Sequence, residues 1–128
     1  MSLDFPADLR YTDSHEYLRV EGDIAIIGIT TYAIEELGDI VFVENIEPGS
    51  EVEEYDPLGT IESVKAVSDI ITPMKGTVIE GNEPVFESPE IIQDDPYGEG
   101  WLVKVRLDNP SELVAKTMSA DEYKALIY

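Results

Sequence analysis

The sequence predicts a mainly β fold with short helices at its periphery. Three observations carry that expectation. Runs of β-branched and aromatic residues are short and bounded by glycine or proline, as strands between turns should be. Trp101-Leu102-Val103-Lys104-Val105-Arg106-Leu107 alternates cleanly, placing Trp101, Val103, Val105 and Leu107 on one side and Lys104 and Arg106 on the other. Helix signals, by contrast, are confined to stretches of one or two turns.

Taken in order, residues 1–10 read as a loosely held lead-in. Glu16 to Ile29 reads as a hairpin, with Glu21-Gly22-Asp23 as its turn and Ile24-Ala25-Ile26-Ile27-Gly28-Ile29 as a buried strand. Thr30 or Thr31 can cap a short helix over 32–37, which Gly38 ends. Asp39 to Glu44 is a strand whose four successive apolar residues predict burial on both faces. Pro48-Gly49 turns the chain, and Glu51 to Asp56 is an acidic stretch expected in solvent. Gly59 to Pro73 then forms a hairpin with Lys65 at its tip and Glu62 and Asp69 on its two arms. Lys75 to Glu80 supplies a turn and a strand. Pro48-Gly49-Ser50-Glu51-Val52 and Met74-Lys75-Gly76-Thr77-Val78 echo one another faintly on either side of that hairpin. Residues 83–100 carry three prolines and many acids and are expected as a long surface loop, with one helical turn at 89–92. Asn109-Pro110-Ser111-Glu112 opens a short helical segment, and Ser119-Ala120-Asp121-Glu122 is a capping box before a terminal helix ending near Ile127. No boundary interrupts the pattern, so one domain over 1–128 is expected.

The chain has 128 residues, 43% of them hydrophobic, enough for a core. Its 28 acidic residues outnumber 8 basic ones, for a net charge of −20. Such a surface repels phosphate backbones and anionic lipid, so neither nucleic acid nor membrane is an expected partner. It suits basic clefts on partner proteins, or simple solubility. No cysteine is present, which removes disulfides, thiolate metal sites and thiol nucleophiles. No run of roughly 18 apolar residues exists to span a bilayer, and the first residues lack a secretory signal's basic and apolar parts. The expected compartment is intracellular: cytoplasm in a bacterium, mitochondrial matrix in a eukaryote.

Catalytic sets are scarce. His15 is the sole histidine, and its neighbours Ser14 and Glu16 point away from it on an extended chain, so the three form no relay. There is no glycine-rich phosphate loop, and Asp94-Asp95-Pro96 lacks calcium-loop spacing. A zinc site would need carboxylates alone. What remains is a scaffold displaying an amine. A lysine at a hairpin tip is ordinarily a solvated charge, yet the same position is fixed and accessible to a modifying enzyme.

Glu62-Ser63-Val64-Lys65-Ala66-Val67-Ser68-Asp69 resembles the lipoyl-attachment segment of the glycine cleavage system H proteins. His15-Glu16 before an aromatic, Gly28-Ile29-Thr30, Leu37 to Glu44, Ser88-Pro89-Glu90 and Asp95 to Trp101 resemble the same family, in the same order. Tyr17 departs from a usual Trp, and Met74-Lys75 and Phe86 are also atypical; none touches the attachment motif. Met74-Lys75 is similar to a biotin-carrier motif, but no second Met follows and Lys75 lies beyond Thr72-Pro73.

The resemblance implies a barrel-sandwich hybrid, the flattened β-barrel of lipoyl and biotinyl carriers. It implies that Lys65 carries lipoic acid as an amide, and that the protein is a non-catalytic carrier in glycine catabolism and one-carbon metabolism. In that scheme the arm takes an aminomethyl group from a pyridoxal-phosphate glycine decarboxylase to a tetrahydrofolate-dependent aminomethyltransferase. Dihydrolipoamide dehydrogenase then reoxidises it, and a lipoate or octanoate transferase or ligase installs it. By the same resemblance, Ser14, Glu16, Ile29 and Asp69 line a groove that shelters the loaded end. Two other readings keep the scaffold: a lipoyl relay in lipoate assembly or sulfur metabolism, and an unmodified acidic interaction module.

Overall fold

The computed structural model describes residues 4–44 and 46–128. Among these, nine strands build two sheets, and short helices cover their edges and ends.

The first hairpin forms as expected: β2 (Glu16–Glu21) and β3 (Ile24–Ile29) pair antiparallel around Gly22, whose φ of 66° is one a glycine adopts freely. A two-residue strand, β1 (Arg10–Tyr11), pairs outside β2. Helix α1 (Thr31–Leu37) follows, its first turn capped by the Thr30 hydroxyl accepting from Ala33 N–H. Strand β4 (Ile40–Val43) then crosses to the second sheet. There it flanks β6 (Pro57–Ser63), which pairs in turn with β7 (Val67–Ile71), giving the order β4-β6-β7. The remaining strands, β5 (Glu51–Val52), β8 (Gly76–Gly81) and β9 (Val103–Leu107), complete the larger sheet in the order β1-β2-β3-β9-β8-β5. Among the described residues, strand pairing does not join the two sheets into a closed barrel. The architecture is a mainly β, two-sheet fold.

The core lies between the sheets. Leu18, Ile27, Val78, Val103 and Val105 from the larger sheet meet Val43, Ile61 and Ile70 from the smaller one. A second apolar cluster occupies the other side of β2, where Tyr17 joins Phe5, Leu9, Tyr11, Ala120 and Tyr123. Both faces of β2 are therefore covered, which is why its hydrophobic alternation is weak. The lead-in is corrected by the same cluster: Phe5 and Leu9 are buried, so described residues 4–10 are docked rather than loosely held. Residues 1–3 of that expected lead-in lie outside the described part.

Four further expectations change. Strand β4 buries Ile40 and Val43 but exposes Val41 (56%) and Phe42 (48%), because the register shifts between Ile40 and Phe42 and breaks the alternation. The acidic stretch at 51–56 contributes β5, whose Val52 is buried; Glu51 pairs with Thr77 and Val52 with Gly76, so the two echoed segments are hydrogen-bonded neighbours. The expected loop at 83–100 contains a helix that was not expected, α2 (Glu83–Glu87), while the helical turn expected at 89–92 forms as α3 (Glu90–Asp94). Their prolines sit at the helix starts, where the missing N–H costs nothing, and their buried residues Val85 and Ile92 join the core. Trp101 is only partly buried beneath the Lys104 ammonium, while its neighbour Leu102 takes the core position. A 3-10 turn (Pro110–Glu112), α4 (Leu113–Lys116) and α5 (Ala120–Ile127) end the chain. Both halves of the Ser119–Glu122 capping box are formed. No helix among the described residues is long and apolar enough to cross a membrane.

Candidate functional site

The hairpin β6–β7 projects Lys65 at its tip. Glu62 pairs with Val67 in register, and Ser63 N–H donates to the Ala66 carbonyl at 2.8 Å, leaving Val64 and Lys65 as the loop. Two-residue hairpin loops usually rely on positive φ angles, and neither residue has one. The turn is held by side chain and neighbour instead. The Ser63 hydroxyl accepts from the N–H groups of Lys65 (3.3 Å) and Ala66 (3.0 Å), and Val64 N–H donates to the Asp39 carbonyl at 3.0 Å. The tip is thus anchored to the junction between α1 and β4. Gly38, at that junction, has φ 78°, and a side chain there would meet the Lys65 Cε at 3.4 Å. Lysine backbone and stem are positioned while the amine end stays accessible.

Beside the hairpin lies a groove of about 110 Å³. One wall comes from the turn and strand carrying Ser14, His15 and Glu16, together with Ile29 and α1 residues Ala33, Glu36 and Leu37. Ile61, Ser68, Asp69 and Ile70 of β6 and β7 form the other. Ser14, Glu16, Ile29 and Asp69 are among its lining residues. Glu16 and Ile29 are register partners, so their side chains share one face. On β7, Ser68 pairs with buried Ile61 and Asp69 pairs with Thr60, which puts these neighbours on opposite pleats. Sequence reading missed Ser68, Glu36 and Leu37, although Ser68 sits inside the attachment motif; its contribution depends on register.

Glu16 is the chemically unusual member, a carboxyl only 1% exposed. Its Oε1 accepts from the Thr12 and Ser14 hydroxyls, both at 2.6 Å, and its Oε2 accepts from Ile71 N–H at 3.1 Å. The last bond ties the larger sheet to β7. Burial pushes the Glu16 carboxyl up to about 7, against the opposing pull of these donors. With Oε1 already taking two hydroxyls, Oε2 is the atom with room for another donor. The site can therefore present a hydrogen-bond acceptor that is half ionised near neutrality, in a pocket with an aliphatic wall.

His15 takes no part in that set: its Nδ1 lies 2.8 Å from the Tyr123 hydroxyl. The extended chain expected here is a turn instead, with His15 at φ 72° and Ser14 bonded directly to Glu16. A larger cavity, about 310 Å³, opens between Tyr55, Pro73 and Ala115–Met118 and meets the groove only at Ser14. Among the described residues no cluster of His, Asp and Glu is placed to hold a metal ion.

An exposed, anchored lysine thus stands at the tip of a hairpin whose strands help to form a small groove lined by both acidic and aliphatic side chains. The family model for glycine cleavage H-protein matches residues 9–128. The glycine cleavage system H protein of Crocosphaera subtropica is 55% identical over 127 residues, covering 99% of this chain and 96% of the relative. That of Gloeothece citriformis is 56% identical, covering 99% and 97%. The crystal structure of a glycine cleavage system H protein from Mycobacterium marinum superposes with a TM-score of 0.86 at 38% identity, covering 95% of this chain and 98% of that one. Similarity of sequence and backbone along nearly the whole chain makes it a member of the glycine cleavage H-protein family, the non-catalytic carriers of that system, which hold lipoate covalently on a lysine.

Proposed function

We propose that Lys65 is the lipoyl attachment point and that Ser14, Glu16, Ile29 and Asp69 line the berth of the loaded arm, the whole chain working as one carrier domain. The observation that supports this most directly is convergence. Three separate segments of the chain, carrying Ser14 with Glu16, Ile29, and Asp69, meet in one groove adjoining the hairpin that carries Lys65. When bound, lipoate supplies the redox-active sulfur that this cysteine-free chain lacks.

The chain's own contribution is positional and electrostatic. Ser63 and Asp39 hold the tip so that the lysine amine is presented to a modifying enzyme. The groove keeps bulk water from a hydrolysable aminomethyl load. An ammonium beside Glu16 would favour the ionised carboxylate and draw its proton off, replacing a costly buried acid with a paired charge. Ile29 and Leu37 supply apolar wall for the aliphatic part of the arm.

The partners proposed are those implied by system membership: the pyridoxal-phosphate glycine decarboxylase, the tetrahydrofolate-dependent aminomethyltransferase, dihydrolipoamide dehydrogenase, and a lipoate or octanoate transferase or ligase. A chain of net charge −20 suits basic docking clefts on each. The bacterial relatives support the cytoplasm as its compartment.

Intact mass after incubation with a lipoylating enzyme tests the attachment point. One lipoyl-sized increment is expected in the native chain and none in Lys65→Ala; an increment that survives the substitution would overturn the assignment. Glycine–bicarbonate exchange with the decarboxylase then separates a glycine cleavage carrier from a lipoyl relay, which supports no exchange.

A further inference from the structure

His15 has a backbone and a side chain that the carrier role leaves unexplained. It is one of two described non-glycine residues with positive φ, at 72°, a conformation that needs outside support. The support is a closed circuit of hydrogen bonds joining three segments. Thr30 N–H donates to the His15 carbonyl at 3.1 Å. The Thr30 hydroxyl lies 2.9 Å from the Tyr123 hydroxyl, which lies 2.8 Å from His15 Nδ1. Tyr123 belongs to α5, so a single phenol on the C-terminal helix grips both the turn carrying Ser14, His15 and Glu16 and the cap of α1. Those are the two segments that make one wall of the groove.

The protons in this circuit can be placed. Thr30 is fully buried, and its oxygen already accepts from Ala33 N–H, so its own proton has one acceptor in reach, the Tyr123 oxygen. The Tyr123 proton must then go to His15 Nδ1, which accepts it only as a bare nitrogen. The ring proton therefore sits on Nε2. The reverse tautomer would turn Nδ1 into a donor and leave one of the two hydroxyl protons, that of Thr30 or that of Tyr123, without an acceptor in the circuit, at the cost of an unmade hydrogen bond. Burial also favours the neutral ring, against Asp13 in the preceding turn and Glu36 on α1, which pull toward protonation. The phenols of Tyr32 and Tyr123 complete its surroundings, at ring distances of 4.8 and 5.8 Å.

We propose that Tyr123 is a positioning residue for the groove: its hydroxyl fixes His15 as the Nε2-protonated imidazole and, through Thr30, fixes the start of α1, so that the C-terminal helix sets how long a loaded arm stays berthed. The inference rests on the groove being that berth. The phenol ring itself is secured independently, stacked 5.0 Å from Tyr11 and edge-on to Phe5 at 5.2 Å, so Tyr123→Phe removes the hydroxyl and keeps the packing.

The test uses the full chain, lipoylated on Lys65. His15 is the only histidine, so its imidazole nitrogens give one assignable pair of signals in 15N spectra. The native chain should show the Nε2-protonated pattern where the ring is neutral, at about pH 8. Tyr123→Phe should give mixed tautomers and release the loaded arm about fivefold faster, the equivalent of one lost hydrogen bond, with the lipoyl mass increment unchanged. Val105→Ala, a core change outside the groove, should alter neither tautomer nor release at matched loss of stability. An Nδ1-protonated imidazole in the native chain overturns the proposal without any variant. So does unchanged release in Tyr123→Phe, or equal acceleration in Val105→Ala. Absence of the lipoyl increment in the native chain would instead overturn the attachment at Lys65, and the tautomer measurement still stands on the unmodified protein.

Discussion

At Glu16 burial and hydrogen bonding pull in opposite directions. Desolvation raises the carboxyl to about 7, while the Ser14 and Thr12 hydroxyls and Ile71 N–H favour the ionised form without overcoming it. The folded state thus holds this proton more tightly than an unfolded chain, whose carboxyl sits near 4.5. Its contribution to stability is complete below about 4.5 and is lost as pH rises through about 7. Glu16→Gln removes the titration while keeping the shape. Between pH 5 and 8 the native chain should lose on the order of 3 kcal/mol relative to that variant, in urea unfolding followed across the pH range. A constant gap would show that Glu16 does not titrate there. Sequence could name Glu16 through its resemblance to a family position, but not its depth: an acid beginning a weakly alternating strand in a chain with 28 acids reads as surface charge. Only the closure of both β2 faces buries it.

The hairpin that presents Lys65 shows how far a single element is legible. Its strands follow from β-branched residues between Gly59 and Pro73, and its tip falls where the lysine does, because loop length fixes register. Its anchorage was not legible, since the Asp39 carbonyl that holds Val64 N–H belongs to a different element. Gly38 is the hinge of that contact, with φ 78° and ψ −148°, a region essentially reserved for glycine. Gly38→Ala should destabilise the chain by roughly 1–3 kcal/mol, and it should slow lipoylation by loosening the seat of Lys65. Thermal unfolding and the time course of the lipoyl mass increment measure the two effects. Loss of stability with an unchanged lipoylation rate would separate the glycine from the tip. The helices divide similarly. The capping box announced α5 from four residues, and α3 lengthens the helical turn expected at 89–92, whereas α2 read as loop and becomes helical because Val85 has a core to enter.

At the scale of the molecule, a charge of −20 on 128 residues is self-repulsion that the core must outweigh. The recorded ion pairs are largely exposed and contribute little each. Added salt screens repulsion over about 10 Å at 0.1 M, so the thermal midpoint should rise between low salt and about 0.5 M sodium chloride. Association with basic partners should weaken over the same range. A midpoint indifferent to salt would mean that the acids are spaced too widely to repel. The sequence by itself determined the mainly β class, the two hairpins, the terminal helix, the exclusion of thiol and disulfide chemistry, and, by motif, the family; these rest on local preferences and on residue identity. The tertiary structure decided which faces of β2 and β4 are covered, that the acidic stretch at 51–52 pairs with its own echo at 76–77, and that Ser14, Glu16, Ile29 and Asp69 line one groove against the β6–β7 hairpin. Such outcomes depend on register and on sheet-to-sheet packing between residues tens of positions apart, which no local pattern encodes.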